Sequence, residues 1–104
     1  MINDLHSLPR AIADGIAVAV GMPDLWESRR KNTRTATMRQ RVLFLLCQNT
    51  RLTYQAIGNA TSRHYSTVTY SEKQAMKRIR AAHSELVEIA KLEALINAYL
   101  CNKL

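Results

Sequence analysis

Apolar residues recur at helical spacing along most of this chain, with few interruptions. The first stripe consists of Leu5, Leu8, Ile12, Ile16 and Val20. It predicts an amphipathic helix that ends near Gly21. Pro23 then suits the first turn of a short helix through Trp26, and we expect that tryptophan in the core.

The middle of the chain carries the strongest helical pattern. Thr35 is a candidate N-cap for a helix that continues to Asn49. Its stretch Val42–Cys47 is apolar on nearly every side, so we expect this helix at the centre of the fold. Thr53 is a candidate cap for a short helix from Tyr54 to about Ala60.

Two longer patterns follow. Residues 59–62, Asn-Ala-Thr-Ser, predict a turn, and a helix begins between Arg63 and Ser66. The inward positions of that helix are Val68, Ala75, Met76 and Ile79. The last helix is predicted over 84–103, with a stripe of Leu86, Ile89, Leu92, Ile96, Tyr99 and Leu100. The predicted fold class is all-α, a compact bundle of about five to six helices.

Composition and charge indicate the class of protein and the kind of partner. The chain has 104 residues, 47% of them hydrophobic, and a net charge of +7, which suit one globular domain. Between Ser28 and Ser71 there is no acidic residue, while eight of the basic residues fall there. A polyanion is therefore the expected partner; a solvated basic face is the alternative.

Several kinds of chemistry are not expected. Cys47 and Cys101 lie far apart in apolar contexts, which predicts reduced, buried thiols; a disulfide between them is the less favoured alternative. Asp4 and Asp14 precede the apolar run of residues 15–20, which argues against a signal peptide, and no run reaches transmembrane length. No metal-ligand spacing, Walker motif or nucleophile pattern is found. We expect no cofactor and no enzymatic activity.

A capped short helix, a turn of small residues and a longer second helix follow the plan of a helix-turn-helix. In that motif the second helix enters the major groove and its first residues contact base edges. The candidates are Arg63, His64, Tyr65, Ser66 and Thr67. Two alternatives stay open: Tyr65 belongs to the core, and His64 serves only as a helix cap.

Two segments, "MRQRVLFLLCQNTRLTYQAIG" and "SRHYSTV", resemble the C-terminal DNA-binding domain of the bacterial replication initiator DnaA. The similarity covers roughly residues 31–79. The identical positions are Arg39, Gln40, Leu45, Thr50, Ile57, Gly58, Ala60, Arg63, Thr67 and Val68; conservative changes are Phe44, Thr53 and Ser66. Departures are His64 in place of an aspartate, Tyr65 in place of a histidine, Gln55 in place of a proline, and a shorter turn. These changes predict a different target sequence.

The resemblance implies a division of contacts. Lys31 and Arg34 fall where the family inserts an arginine into the minor groove, and Arg39 and Gln40 fall among phosphate contacts. The full predicted DNA-binding set is Lys31, Arg34, Arg39, Gln40, Thr53, Gln55, Arg63, His64, Tyr65, Ser66, Thr67, Lys73 and Lys77. The implied domain comprises a helical extension (1–30), a DNA-binding core (31–83) and a C-terminal helix (84–104).

The sequence therefore predicts a cytoplasmic, nucleoid-associated protein that binds specific sites on double-stranded DNA and regulates replication or transcription. With no nucleotide-binding motif, we expect it to occupy sites rather than to hydrolyse ATP. Nonspecific DNA packaging is one alternative. A protein–protein interaction module, or a homodimer formed through the terminal helices, is the other.

Overall fold

Five helices follow one another along the chain in the computed structural model, which describes residues 8–27 and 33–103. They are α1 (Arg10–Ala19), α2 (Thr33–Asn49), α3 (Tyr54–Thr61), α4 (Tyr65–Ala81) and α5 (His83–Lys103). These two ranges contain no strand, and the helices pack into one bundle. The predicted all-α fold is confirmed. Among the described helices, none combines the length and the apolar character that crossing a membrane requires.

Helix α2 lies at the centre of the bundle. Its five consecutive residues Val42–Leu46 are all buried, and α2 packs against α3, α4 and α5. A helix exposes a different side at each successive residue, so five buried neighbours require partners all around it. The prediction of a central buried helix is confirmed.

The N-terminal segment differs from its prediction in two places. Helix α1 begins at Arg10, directly after Pro9, and the predicted start at Leu5 lies outside the described residues. The predicted short helix through Trp26 is wrong, because residues 23–27 form turns. Trp26 is nevertheless buried, and its Nε1 donates a hydrogen bond of 2.7 Å to the carbonyl oxygen of Ala13. The turns thus place a buried tryptophan against α1.

Three further predictions need correction. Thr35 does not cap α2, because the helix already includes Thr33 and no glycine or proline interrupts it there. Cys101 is exposed rather than buried, since Leu100 takes the inward position at that turn of α5. Leu86 is 47% exposed for the same reason, because Glu85 faces inward beside it. Cys47 is half-buried, and this burial raises the pKa of its thiol to about 12.

A charged network joins three helices around Glu85. Both carboxylate oxygens accept hydrogen bonds from Arg41, at 2.8 Å from Nε and 2.7 Å from Nη2. Arg78 Nε lies 3.4 Å from Oε2 of the same carboxylate. The hydrogen bonds from Arg41 hold the pKa of the Glu85 carboxyl below its ordinary value. A buried acid at the start of α5 is therefore stabilised by arginines of α2 and α4.

Acid is expected to weaken the fold through Glu85. A carboxyl whose pKa is depressed by folding contributes stability that is present above its unfolded pKa, about 4.3, and is lost as the pH falls through the lower folded value. We expect the free energy of unfolding, measured by urea denaturation, to decrease below about pH 4.3. Glu85→Gln should be less stable at neutral pH and should show a flatter decrease in acid.

Glu88→Gln is the matched control, because Glu88 is exposed on the same helix. It should keep the pH dependence of the wild type. If Glu85→Gln instead followed the wild type throughout the acidic range, the network would contribute nothing to stability.

Candidate nucleic-acid interface

Helix α3 begins as its sequence predicts. The side-chain oxygen of Thr53 accepts a hydrogen bond of 3.0 Å from the backbone N–H of Ala56, so Thr53 is the N-cap. The first residue of α3 is fixed to α4, because the Tyr54 hydroxyl donates to Glu72 at 2.8 Å. Gln48 donates to the other oxygen of the same carboxylate, at 3.1 Å. These bonds join the start of α3 to α4 and to the end of α2.

The turn between α3 and α4 comes later than predicted. Residues 59–61 belong to α3, and Ser62, Arg63 and His64 make the connection. Ser62 adopts a left-handed conformation with φ of 59°, and the N–H of Arg63 donates to the carbonyl oxygen of Gly58 at 2.8 Å. A Cβ on Gly58 would lie 2.4 Å from the Arg63 carbonyl oxygen. Glycine therefore permits the close approach that this turn requires.

Helix α4 begins at Tyr65 with His64 as its N-cap. The Nδ1 atom of His64 accepts a hydrogen bond of 3.2 Å from the backbone N–H of Ser66. The rings of His64 and Tyr65 are neighbours, with centroids 4.4 Å apart. The capping role anticipated for His64 is confirmed. The alternative that Tyr65 belongs to the core is wrong, because its side chain is 53% exposed.

The predicted DNA-binding residues divide into three groups. Lys31 lies outside the described residues. The exposed residues are Arg34, Thr53, Gln55, His64, Tyr65, Ser66, Thr67, Lys73 and Lys77. The half-buried residues are Arg39, Gln40 and Arg63. The last group makes contacts within the protein that the sequence did not predict.

Arg63 holds the α3–α4 turn against the N-terminal segment. Its Nη1 atom donates to the carbonyl oxygens of Trp26 at 3.0 Å, Ser62 at 3.1 Å and Thr61 at 3.3 Å. Arg10 of α1 supports the same turn, with Nη1 donating to the Ser62 hydroxyl at 2.7 Å. The segment before α2 therefore has a structural task, which is to fix the turn that starts α4.

Arg39 and Gln40 lie where α2 faces the start of α4. Nη1 of Arg39 donates to the Leu25 carbonyl oxygen at 3.4 Å, and burial lowers the pKa of its guanidinium. Gln40 accepts a hydrogen bond from Arg78 of α4. Beside them is a cleft of about 160 Å³, and its lining residues are Ala36, Arg39, Gln40, Leu43, Arg63, Thr67, Tyr70 and Ser71. Among the described residues, two arginines and no carboxylate line this cleft, a composition suited to an anion.

The outer face of α4 carries a feature that the sequence analysis missed. Tyr70 is 56% exposed and lies between the small cleft and a shallow groove of about 450 Å³. That groove is lined in part by Lys73, Lys77 and Arg80. Lys73 and Lys77 are in the predicted set, whereas Tyr70 and Arg80 are not. Counting from Ser66, the four residues fall at helical intervals of four, seven, eleven and fourteen, so the periodicity of α4 could have identified Tyr70 and Arg80 as well.

The opposite face of α4 belongs to the core, where Val68, Ser71 and Ala75 are buried. Its outer face carries Lys73, Lys77 and Arg80, and Glu72 and Met76 line the same groove. No group of three His, Cys, Asp or Glu side chains able to hold a metal occurs within 8–27 and 33–103. The chemistry offered by this surface is that of hydrogen bonds, cations and the aromatic rings of Tyr65 and Tyr70.

Comparisons with known proteins leave this geometry unassigned. A scan against protein-family models finds no match, and a search of curated proteins finds no similar sequence. The resemblance to the DnaA domain therefore stays a prediction that depends on the residues quoted above.

Arg63→Ala is expected to destabilise the protein in the absence of DNA. The substitution removes the donor to the carbonyl oxygens of Trp26, Thr61 and Ser62, and we expect a loss of about 1–3 kcal/mol in the free energy of unfolding. Lys73→Ala, at an exposed position of α4, is the control and should change stability by less than about 0.5 kcal/mol. Equal stability of Arg63→Ala and wild type in urea denaturation would show that Arg63 does not hold the turn.

Proposed function

We propose that the protein binds specific sites on double-stranded DNA, with α3 and α4 acting as a helix-turn-helix and α4 entering the major groove. The observation that supports this most strongly is the two-sided character of α4. One side packs on α2, and the other presents Ser66, Tyr70, Lys73 and Lys77 to solvent. An α-helix is of a width that the major groove of B-form DNA admits.

The charge distribution supports a backbone-binding contribution around this helix. Lys73 and Lys77 are exposed one turn apart on α4, and Arg34 is exposed in the first turn of α2. Phosphate contacts of this kind supply affinity that does not depend on sequence, while base-edge contacts supply specificity. Tyr65, Ser66 and Thr67 are exposed at the start of α4 and are available for base-edge contacts.

The biological role that follows is regulation of replication or transcription by occupancy of DNA sites. The resemblance to the DnaA domain supports the replication role, through the residues shared over 31–79. The departures at Gln55, His64 and Tyr65 predict a target sequence different from the one that DnaA recognises. All three side chains are exposed.

A protein–protein interaction module is the second candidate. Leu86, Val87 and Leu95 of α5 are 47%, 40% and 47% exposed, so this helix presents apolar side chains outside the bundle. Exposed apolar surface of this kind often marks a contact with another protein. It lies on a different helix from the basic surface of α4, so both activities are compatible.

Selection from a randomised duplex pool tests the proposal. The purified protein should enrich a discrete motif at low and at physiological salt. If about six phosphates are contacted, the logarithm of the affinity should fall against the logarithm of salt concentration with a slope of about −5. Replacing Lys73 and Lys77 together by alanine should weaken binding to every sequence and should make that slope shallower by about 2.

Lys91→Ala is the matched control, because Lys91 is an exposed lysine on α5. It should bind DNA as the wild type does. Retention without an enriched motif would favour nonspecific packaging. An absence of retention at both salt concentrations would contradict DNA binding and would favour the protein–protein alternative.

A further inference from the structure

Four residues of α4 share the spacing that a helix uses when its side, rather than its end, lies in the major groove. Base contacts in that arrangement come from positions i, i+3, i+4 and i+7. On α4 these positions are Ser66, Thr69, Tyr70 and Lys73. We infer that α4 reads DNA through this side and that Tyr70 is a specificity-determining residue. This inference rests on the DNA-binding function proposed above.

The contacts at the start of α4 favour the side over the end. Arg63 directs Nη1 at three backbone carbonyl oxygens, and His64 uses Nδ1 to cap the helix. Two of the five residues predicted to contact bases are therefore occupied in holding the turn and the helix start. Using Nδ1 of His64 or Nη1 of Arg63 for a base would require breaking these contacts.

The side of α4 is less constrained at Tyr70 and Lys73 than at the other two positions. The Ser66 hydroxyl lies 2.8 Å from Nδ1 of His64, and the half-buried Thr69 donates its hydroxyl to the Ser66 carbonyl oxygen at 2.9 Å. Ser66, Tyr70 and Lys73 are exposed, and Tyr70 is 56% exposed although it is a large aromatic residue. At a rise of about 1.5 Å per residue, Ser66 and Lys73 are separated by about 10 Å along the axis, which corresponds to about three base pairs. Tyr70 lies between them, so its side chain falls near the middle of such a contact.

The chemistry of tyrosine indicates which base feature Tyr70 would contact. Its ring offers an apolar surface that suits the methyl group of thymine in the major groove, and its hydroxyl can donate to or accept from a base edge. Arg39 and Arg63 line the adjacent cleft and keep their positive charge while they donate to backbone carbonyl oxygens, so they attract a phosphate electrostatically. The expected target feature is therefore a thymine-containing step at the centre of the contact.

The test compares two tyrosines of the same helix. Tyr65 and Tyr70 are 53% and 56% exposed, so alanine at either position should preserve the fold, which thermal unfolding would verify. Tyr70→Ala should abolish the preference at one or two adjacent positions of the selected motif and weaken binding to that motif by about tenfold. Its salt slope should stay that of the wild type. Tyr65→Ala, at the end of the helix, should leave the preference at those one or two positions unchanged.

Tyr70→Phe separates the two contacts of the side chain. It should keep a preference for thymine over uracil at the affected position, because that preference depends on the ring and the methyl group. Tyr70→Ala should bind the thymine and uracil duplexes equally. Equal binding of both duplexes by the wild type would contradict the methyl contact.

The outcomes separate this inference from the proposed function. If the wild type enriches a motif that Tyr70→Ala leaves intact while Tyr65→Ala erases it, the end of α4 reads the bases and the inference is wrong. If the wild type enriches no motif, sequence-specific binding fails and the inference fails with it.

Discussion

The burial of Val42–Leu46 in α2 is the constraint on which the other helices depend. Apolar side chains on every side of a helix must be covered, and α3, α4 and α5 provide that cover. Helix α4 contributes Val68 and Ala75 to the core, and its exposed residues Ser66, Tyr70, Lys73 and Lys77 are consequently on the far side. The exposed basic surface of α4 is thus a direct result of how the core is covered.

Arginines connect this packing to the candidate interface. Arg41 and Arg78 are committed to Glu85, and Arg63 donates to the turn before α4. The basic residues of α2, α4 and the turn between α3 and α4 are therefore of two kinds: arginines with contacts inside the protein, and exposed lysines available to a partner. The net charge of the sequence does not distinguish these two kinds of residue. The structure does, because Lys73 and Lys77 are exposed while the arginines also stabilise the fold.

Local patterns in the sequence predicted the features that depend on neighbouring residues. The α3 cap at Thr53 and the apolar centre of α2 are of this kind, since each is set within one or two turns of chain. The wrong predictions concern residues whose position is determined by tertiary contacts. Trp26 reaches the core from turns rather than from a helix, because its indole bonds to Ala13. Glu85 takes an inward position that a pattern of hydrophobic residues assigns to Leu86, because it accepts hydrogen bonds from Arg41 and Arg78.

The candidate site was predictable to a similar degree. The sequence identified the exposed residues at the start of α4, because helix caps and turns have recognisable residue types. It did not predict the internal bonds of Arg63, which depend on a carbonyl oxygen from Trp26, far away in the chain. It did not identify Tyr70, because the residues shared with the DnaA domain lie at the start of the helix, whereas Tyr70 lies on its side.

The most direct test of DNA binding by α4 is a titration of isotope-labelled protein with a duplex bearing its selected motif, followed by amide NMR shifts. We expect the largest shifts along residues 65–77 and at the start of α2, and little change on the apolar outer face of α5. Shifts confined to α5, or no shifts at saturating duplex, would contradict DNA binding by α4.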